Sequence, residues 1–184
     1  MNTDTSKNTD NPQSARLFFA IQPAHKIQKQ LGNVAKKQAL KWGGRSIKPE
    51  NIHLTLLFLG KTDGNKIDAL HAAVRNINET NFNLTIQRTR FWKRNQIITA
   101  QAEIYPPALF SLVDTIKKAL HNAGFEFDDR AYKPHITLVR KATHHIPAEL
   151  QEPIEWPVKE WLLMQSKQTD QGIRYMILSR WQLH

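Results

Sequence analysis

Ile52-His53-Leu54-Thr55-Leu56-Leu57-Phe58-Leu59-Gly60 and Pro134-His135-Ile136-Thr137-Leu138-Val139-Arg140 share one pattern, His-x-Thr-Leu, placed once in each half of the chain. Both copies lie in short aliphatic runs, which predicts buried strands over Ile52 to Leu59 and over Ile136 to Val139 with its flanks. Side chains alternate along a strand, so His53 and Thr55 share one face, as do His135 and Thr137, with aliphatic residues behind them. Two such strands facing each other bring two imidazoles across one cleft. A lone His on an apolar strand is more often a hydrogen-bonded core residue than a catalyst. A core has no reason to duplicate His-x-Thr with the same aliphatic neighbours, and the repetition marks a functional pair.

On the N-terminal side, Ala15 to Gln22 reads as a buried strand closed by Pro23. Ala24 to Trp42 carries Ile27, Leu31, Val34 and Ala35 at helical spacing and stops at Gly43-Gly44. After the first motif strand, Asp63 caps a helix with Ile67, Leu70, Val74 and Ile77. Phe82 to Arg88 alternates as a strand, and Gln96 to Ile104 is its hairpin partner across Lys93-Arg94-Asn95. Pro106-Pro107 opens a third helix with Leu109, Leu112, Val113, Ile116 and Leu120, ended by Gly124. Thr143 to Pro157, rich in Pro and Glu, reads as a connector. Val158 to Gln165 and Ile173 to Trp181 form a closing hairpin around Asp170-Gln171-Gly172. This order predicts an α+β fold of two similar lobes, antiparallel-rich sheet with helices outside, related by a pseudo-twofold about a shared groove. Residues 15–184 form that one bilobal domain, and the polar residues 1–14 form a disordered tail.

The chain has 184 residues, enough for one domain with a proper core, and 40% of them are hydrophobic. No apolar run approaches the roughly 20 residues that a membrane helix needs. Zero cysteines exclude disulfides, thiolate zinc sites and a Cys nucleophile, and set a cytoplasmic address as the default. Lys plus Arg number 26 against 16 Asp plus Glu, a formal charge of +10, which points to an anionic partner with nucleic acid first. The basic residues cluster near both motifs: Lys36, Lys37, Lys41, Arg45 and Lys48 before the first, and Arg130, Lys133, Arg140 and Lys141 around the second. Arg88, Arg90, Lys93 and Arg94 form a third cluster mid-chain.

Imidazole titrates near 6.5, so small shifts leave one His neutral and its partner protonated at one pH. The neutral ring takes a proton from water or a hydroxyl, and the cation gives one to a departing alkoxide. Thr55 and Thr137 offer hydroxyl donors to a shared anion or fix ring orientation. Arg140 adds a planar fork suited to phosphate. Two His, two Thr and an Arg describe a phosphodiester site that needs no metal and no cofactor. No His/Asp/Glu cluster has metal-ligand spacing, and no Gly-rich phosphate loop is present. The remaining histidines, His25, His71, His121, His144, His145 and His184, are expected on the solvated surface.

These residues resemble the paired signatures of the two-histidine phosphoesterases, and more narrowly the bacterial RNA 2′,3′-cyclic phosphodiesterases, also called 2′-5′ RNA ligases. The resemblance runs from about residue 15 to the C-terminus. It includes Arg16-Leu17-Phe18-Phe19-Ala20-Ile21, the run to Phe58-Leu59-Gly60, Pro134 before His135, and Gly172-Ile173-Arg174-Tyr175 with Trp181. It implies that His53 is the general acid for the ribose O3′ leaving group and that His135 is the general base for water, giving a 2′-phosphomonoester. It also implies that Arg140 clamps phosphate oxygens and that Phe58 stacks on the terminal base. Arg130 and Lys133 are further candidates for RNA backbone contacts. A 5′-hydroxyl in place of water would give a 2′-5′ linkage.

One geometric demand follows. Phe58 and Arg140 each stand five residues after their His, an odd offset that puts them on the wrong face of a regular strand. Each strand must end, twist or bulge between the Thr and that residue. The expected activity is therefore metal-independent hydrolysis of RNA 2′,3′-cyclic phosphate ends, by a monomer with no protein or membrane partner implied. Two alternatives stand beside it: a non-catalytic RNA- or nucleotide-binding module on the same fold, and a phosphodiesterase for small cyclic nucleotides or ADP-ribose cyclic phosphate.

Overall fold

In the computed structural model, which describes residues 14–170 and 172–184, the chain runs β1 (Ala15–Ile21), α1 (His25–Trp42), β2 (Arg45–Ser46), β3 (Leu54–Thr62), α2 (Ile67–Val74) and β4 (Phe82–Trp92). It continues through β5 (Ile97–Ala102), α3 (Pro107–Asn122), β6 (Ile136–Arg140), β7 (Ala148–Val158), β8 (Glu160–Thr169) and β9 (Gly172–Gln182). Apart from Ser14, the expected tail lies outside the described residues.

The strands join in one curled antiparallel sheet ordered β7-β4-β5-β6-β3-β1-β8-β9, with β2 added beside β6. Its two four-stranded halves, β7-β4-β5-β6 and β3-β1-β8-β9, meet through the residue pair Leu54 and Ile136. Those residues each follow a motif histidine, so the seam of the molecule places both motifs at its centre. The fold is α+β, as the sequence predicts.

Helical stripes cover one face of the sheet. Ile27, Leu31 and Ala35 of α1, Leu70 and Val74 of α2, and Leu109, Leu112, Val113, Ile116 and Leu120 of α3 repeat at three- and four-residue spacing. They share one core with Leu17, Phe19 and Ile21 of β1 and with Leu54, Leu56, Ile136 and Leu138 of the motif strands. Each fully buried Leu, Ile, Val or Phe among them contributes about 1.5–3 kcal/mol. Because Leu54 and Ile136 point into that core, the motif histidines and threonines face the opposite side. The helices cross between halves: α1 follows β1 but rests on β6, and α3 of the other half touches β3. Among the described residues a second, smaller apolar cluster joins Phe18, Ala20, Leu162 and Met164. Among the described residues, no helix is long and apolar enough to cross a membrane.

Several elements differ from the sequence reading, among them the short β2, which it did not contain, and the start of α2, where Asp63 precedes a 3-10 turn and makes no side-chain cap. The segment expected as a connector, Thr143 to Pro157, contains most of β7, whose Ile154, Trp156 and Val158 are buried against β4. Proline is compatible with β7 because it is the edge of the sheet, where every second N–H points away from β4 and is not needed by a ladder. The strand β4 runs past Arg88 to Trp92, and α2 stops at Val74, short of Ile77.

Candidate active site

Both motif strands bulge where the odd offset demands it. Along β1, Ala20 pairs with Thr55 and Phe19 with Leu57, so Leu56 is the extra residue. Along β5, Thr99 pairs with Thr137 and Ile98 with Val139, so Leu138 is the extra residue. In each strand the bulge therefore falls directly after the motif threonine. It lets two consecutive aliphatics turn into the core, Leu56-Leu57 in one strand and Leu138-Val139 in the other, all at most 4% exposed. One extra residue switches the face of everything beyond it. Phe58 and Arg140 return to the histidine side.

The Leu54–Ile136 bridge is antiparallel, so one residue on either side His53 stands across from Thr137 and Thr55 from His135. The two imidazoles and two hydroxyls thus alternate around one point. Each ring is pinned in the same way. The Nδ1–H of His53 donates to the carbonyl of Asn51 at 2.7 Å, and that of His135 to the carbonyl of Lys133 at 2.8 Å. A carbonyl only accepts, so Nδ1 carries the proton in both rings and Nε2 is left for chemistry. Asn51 is itself held, its side-chain amide donating to the carbonyl of Ile173 at 3.1 Å. Gly32 of α1 allows Pro49 to approach the helix, since a Cβ there would lie 2.8 Å from Pro49 Cγ. The turn that leads into His53 is thereby fixed from both sides.

Burial lowers the pKa of both imidazoles, with Arg140 adding to the effect in each. His53 falls to about 4, chiefly through its burial, with the charges of Arg140 and then His135 adding smaller effects. The backbone hydrogen bonds oppose these shifts without cancelling them. Both rings are therefore neutral at pH 7 in the empty groove, and on acidification the first proton goes to His135.

A groove of about 870 Å³ contains His53, Thr55, Phe58, His135, Thr137 and Arg140 in its lining, together with Arg130 and Lys133. Every residue singled out in the sequence is therefore brought to one place. Arg140 is exposed and, among the described residues, has no carboxylate in ion-pair reach. Arg130 differs, since its guanidinium forks onto Asp128, with Nε at 2.8 and 3.1 Å from the two carboxylate oxygens. That pair holds the Asp128 carboxyl below its usual range. The backbone N–H of Asp128 in turn donates to the carbonyl of Phe58 at 2.9 Å, tying this loop to β3.

Sequence reasoning missed the aromatic collar. The rings of Phe18 and Tyr175 lie 5.1 and 4.8 Å from His53, and Phe58, 49% exposed, lies 5.9 Å from Phe18. Trp92 sits 4.3 Å from His135. Phe18 and Tyr175 stand in segments that carry the family resemblance, which was the available signal. Nothing local marks Trp92. Two histidines expected on the surface are not there. His145 is 3% exposed against Trp42, driven in by the bend after β6, and burial lowers its pKa. His71 is half-buried and shares a 2.7 Å hydrogen bond with Ser179 Oγ. Among the described residues, no group of three or more His, Cys, Asp or Glu could hold a metal ion.

A family model described as LigT-like phosphoesterase matches residues 21–99 and 103–175. The RNA 2′,3′-cyclic phosphodiesterase of Escherichia coli (strain K12) is 30% identical over 171 residues, covering 91% of this chain and 96% of that protein. The protein of the same name from Thermotoga maritima is 27% identical, covering 89% and 92%. Among solved structures, E. coli LigT complexed with 3′-AMP superposes with a TM-score of 0.82 at 29% identity, covering 93% of this chain and 99% of that one.

Proposed function

The chain belongs to the LigT-like phosphoesterase family, and we propose that it is an enzyme that hydrolyses RNA 2′,3′-cyclic phosphate ends to 2′-phosphomonoesters without a metal ion. The observation that carries this reading is the pair of imidazoles, each pinned through Nδ1, set across one strand bridge beside the exposed Arg140. Proton transfer and charge neutralisation, the two needs of a phosphodiester displacement, are both met by side chains already in the groove.

In this mechanism Arg140 takes the non-bridging phosphate oxygens in its fork, and the hydroxyls of Thr55 and Thr137 donate to the same anion. His135 Nε2 removes a proton from water as the water oxygen bonds to phosphorus. The bond from phosphorus to O3′ breaks in line, and His53 Nε2 delivers its proton to O3′. Phosphate remains on O2′. His135 leaves the cycle protonated and His53 neutral, and exchange with solvent restores the pair. Phe58, with Phe18 and Tyr175 behind it, provides the platform for the terminal base. The empty groove favours a proton on His135 over His53, so the forward direction requires the bound phosphate to draw the proton to His53. A nearby anion favours an imidazolium and opposes the desolvation that depresses it.

This assignment gives a signed pH dependence. The active free enzyme carries one proton on the pair, a state that is most populated between the two depressed pKa values. The profile of kcat/KM should therefore be bell-shaped with its maximum on the acid side of pH 6.5. The profile of kcat, which reports the anion-bound pair, should be displaced upward. A flat kcat/KM between pH 5 and 9, with chemistry limiting, contradicts two-imidazole catalysis.

The RNA partner agrees with the +10 charge. A monomeric single domain over residues 15–184 and a cytoplasmic address complete the proposal. Its test is an oligonucleotide ending in 2′,3′-cyclic phosphate, incubated in excess EDTA with product identified as the 2′-phosphate. Wild type should turn over undiminished, and His53→Ala and His135→Ala should each lose about 10²–10⁴-fold. Activity lost to EDTA, or kept by either variant, overturns the reading.

A further inference from the structure

Asn51 ends the 3-10 turn Pro49–Asn51 that leads into β3, and Ile173 stands at the start of β9. Two strands, β1 and β8, lie between β3 and β9 in the sheet. The 3.1 Å bond from the Asn51 side-chain amide to the carbonyl of Ile173 therefore forms only because this half of the sheet curls back on itself. It closes the curl directly beside His53. Resting on the proposed phosphodiesterase reading, we infer that Asn51 is a positioning residue for the general acid, which fastens the β8–β9 hairpin to the turn and so aims His53 at O3′.

The contacts run in a closed circuit. The backbone carbonyl of Asn51 accepts the Nδ1–H of His53 at 2.7 Å, and its side chain holds Ile173. Two residues further along β9, Tyr175 projects to the same side of the strand as Ile173. Its ring returns to His53, 4.8 Å away and nearly perpendicular at 77°. The Nδ1 bond fixes the rotation of the imidazole about its own axis, and the Tyr175 ring limits its tilt. Asn51 controls both, one through its backbone and the other through the strand that its side chain holds.

The hairpin is stiff enough to transmit this hold. Across its turn the Thr169 hydroxyl donates to the carbonyl of Gly172 at 2.7 Å. The β8–β9 ladder runs in register from the Thr169–Gly172 pair past Ser166–Tyr175 to Met164–Ile177. Phe18 of β1 backs Tyr175 edge-on at 5.3 Å.

His135 is mounted differently. Its pin comes from Lys133 and its ring contact from Trp92 at the end of β4, two separate segments, and the turn before it is braced by the Tyr105 hydroxyl donating to the carbonyl of Pro134 at 3.0 Å. The asymmetry suits the chemistry. An acid must place its proton on one atom of a bound leaving group, whereas a base acts on a water that can settle to meet it.

The test is a double-mutant cycle on an oligonucleotide ending in 2′,3′-cyclic phosphate. Asn51→Leu, close to asparagine in size but without a donor, and Asn51→Ala should each lower kcat by about tenfold and leave KM within about twofold, in keeping with one lost hydrogen bond. In a His53→Ala background the same substitutions should cost less than about twofold, because a residue that acts through His53 has nothing left to act on. A purely structural role would carry its full cost into both backgrounds. An unchanged kcat, a loss confined to KM, or equal costs with and without His53 overturns the positioning role and leaves the phosphodiesterase reading intact. A His53→Ala variant as active as wild type overturns that reading and the inference with it.

Discussion

The strand that carries His53 and the strand that carries His135 are built alike as far as their bulges. Each pins its imidazole to the carbonyl two residues back, pairs its next residue across the seam, and turns two successive aliphatics into the core. They then diverge, one ending on the half-exposed ring of Phe58 and the other on the exposed guanidinium of Arg140. A shared backbone device thus delivers a stacking surface to one flank of the phosphate and a positive charge to its oxygens. The environments of the two histidines diverge as well, since His53 is depressed to about 4 and is flanked by the rings of Phe18 and Tyr175, while His135 meets Trp92. Near-symmetric placement with unequal surroundings is what separates an acid from a base in a pair of identical side chains.

The largest way to break this comparison is at Arg140. Arg140→Ala should lower kcat/KM by about 30- to 100-fold, the range for a lost charge-assisted fork on phosphate. It should also move the kcat/KM profile toward alkaline pH, because the removed cation lowers the pKa of both histidines. Arg140→Lys should keep the position of the profile and recover only part of the rate. An Ala variant with an unmoved profile would detach Arg140 from the imidazoles.

A second contrast lies at the glycines beside the two strand ends. A Cβ on Gly44 would stand 2.6 Å from Arg140 O and 2.8 Å from Ala142 N at a φ of +88°, whereas one on Gly60 would meet nothing within 4 Å. Gly44→Ala should cost about 2 kcal/mol or more in denaturant unfolding, and Gly60→Ala about 1 kcal/mol from its positive φ alone. Equal costs would show that the end of β6 yields more readily than its close backbone approach implies.

The smallest effect belongs to Phe58. Phe58→Ala should raise KM for a cyclic mononucleotide by about tenfold. Ribose 2′,3′-cyclic phosphate, which has no base to stack, should be unaffected. A similar loss on both substrates would make Phe58 a packing residue.

The motif strands were legible because a two-residue period and an odd offset together demand a bulge, and the sequence locates it to within a residue or two. The helices were legible from their apolar spacing. The strand β7 was hidden by Pro153 and Pro157, which argue against a central strand but not against an edge. Trp92 was hidden for a different reason. Its contact with His135 arises from the β4–β5–β6 pairing, which joins residues far apart in sequence and leaves no local mark. The burial of His145 depends likewise on Trp42, brought to it by α1 crossing between the halves. Local pattern reports which face a residue takes. It does not report what another segment lays against that face.

The unequal roles of the two histidines are tested most directly by a leaving group that needs no proton. A cyclic phosphate with sulfur in place of O3′ departs as a thiolate, so general acid catalysis becomes unnecessary while general base catalysis does not. Rates on the oxygen and sulfur substrates should be measured for wild type, His53→Ala and His135→Ala. With His53 as the acid, His53→Ala recovers most of its lost rate on the sulfur substrate and His135→Ala stays impaired on both. Recovery by His135→Ala, with His53→Ala still impaired, would contradict the assignment and exchange the two roles.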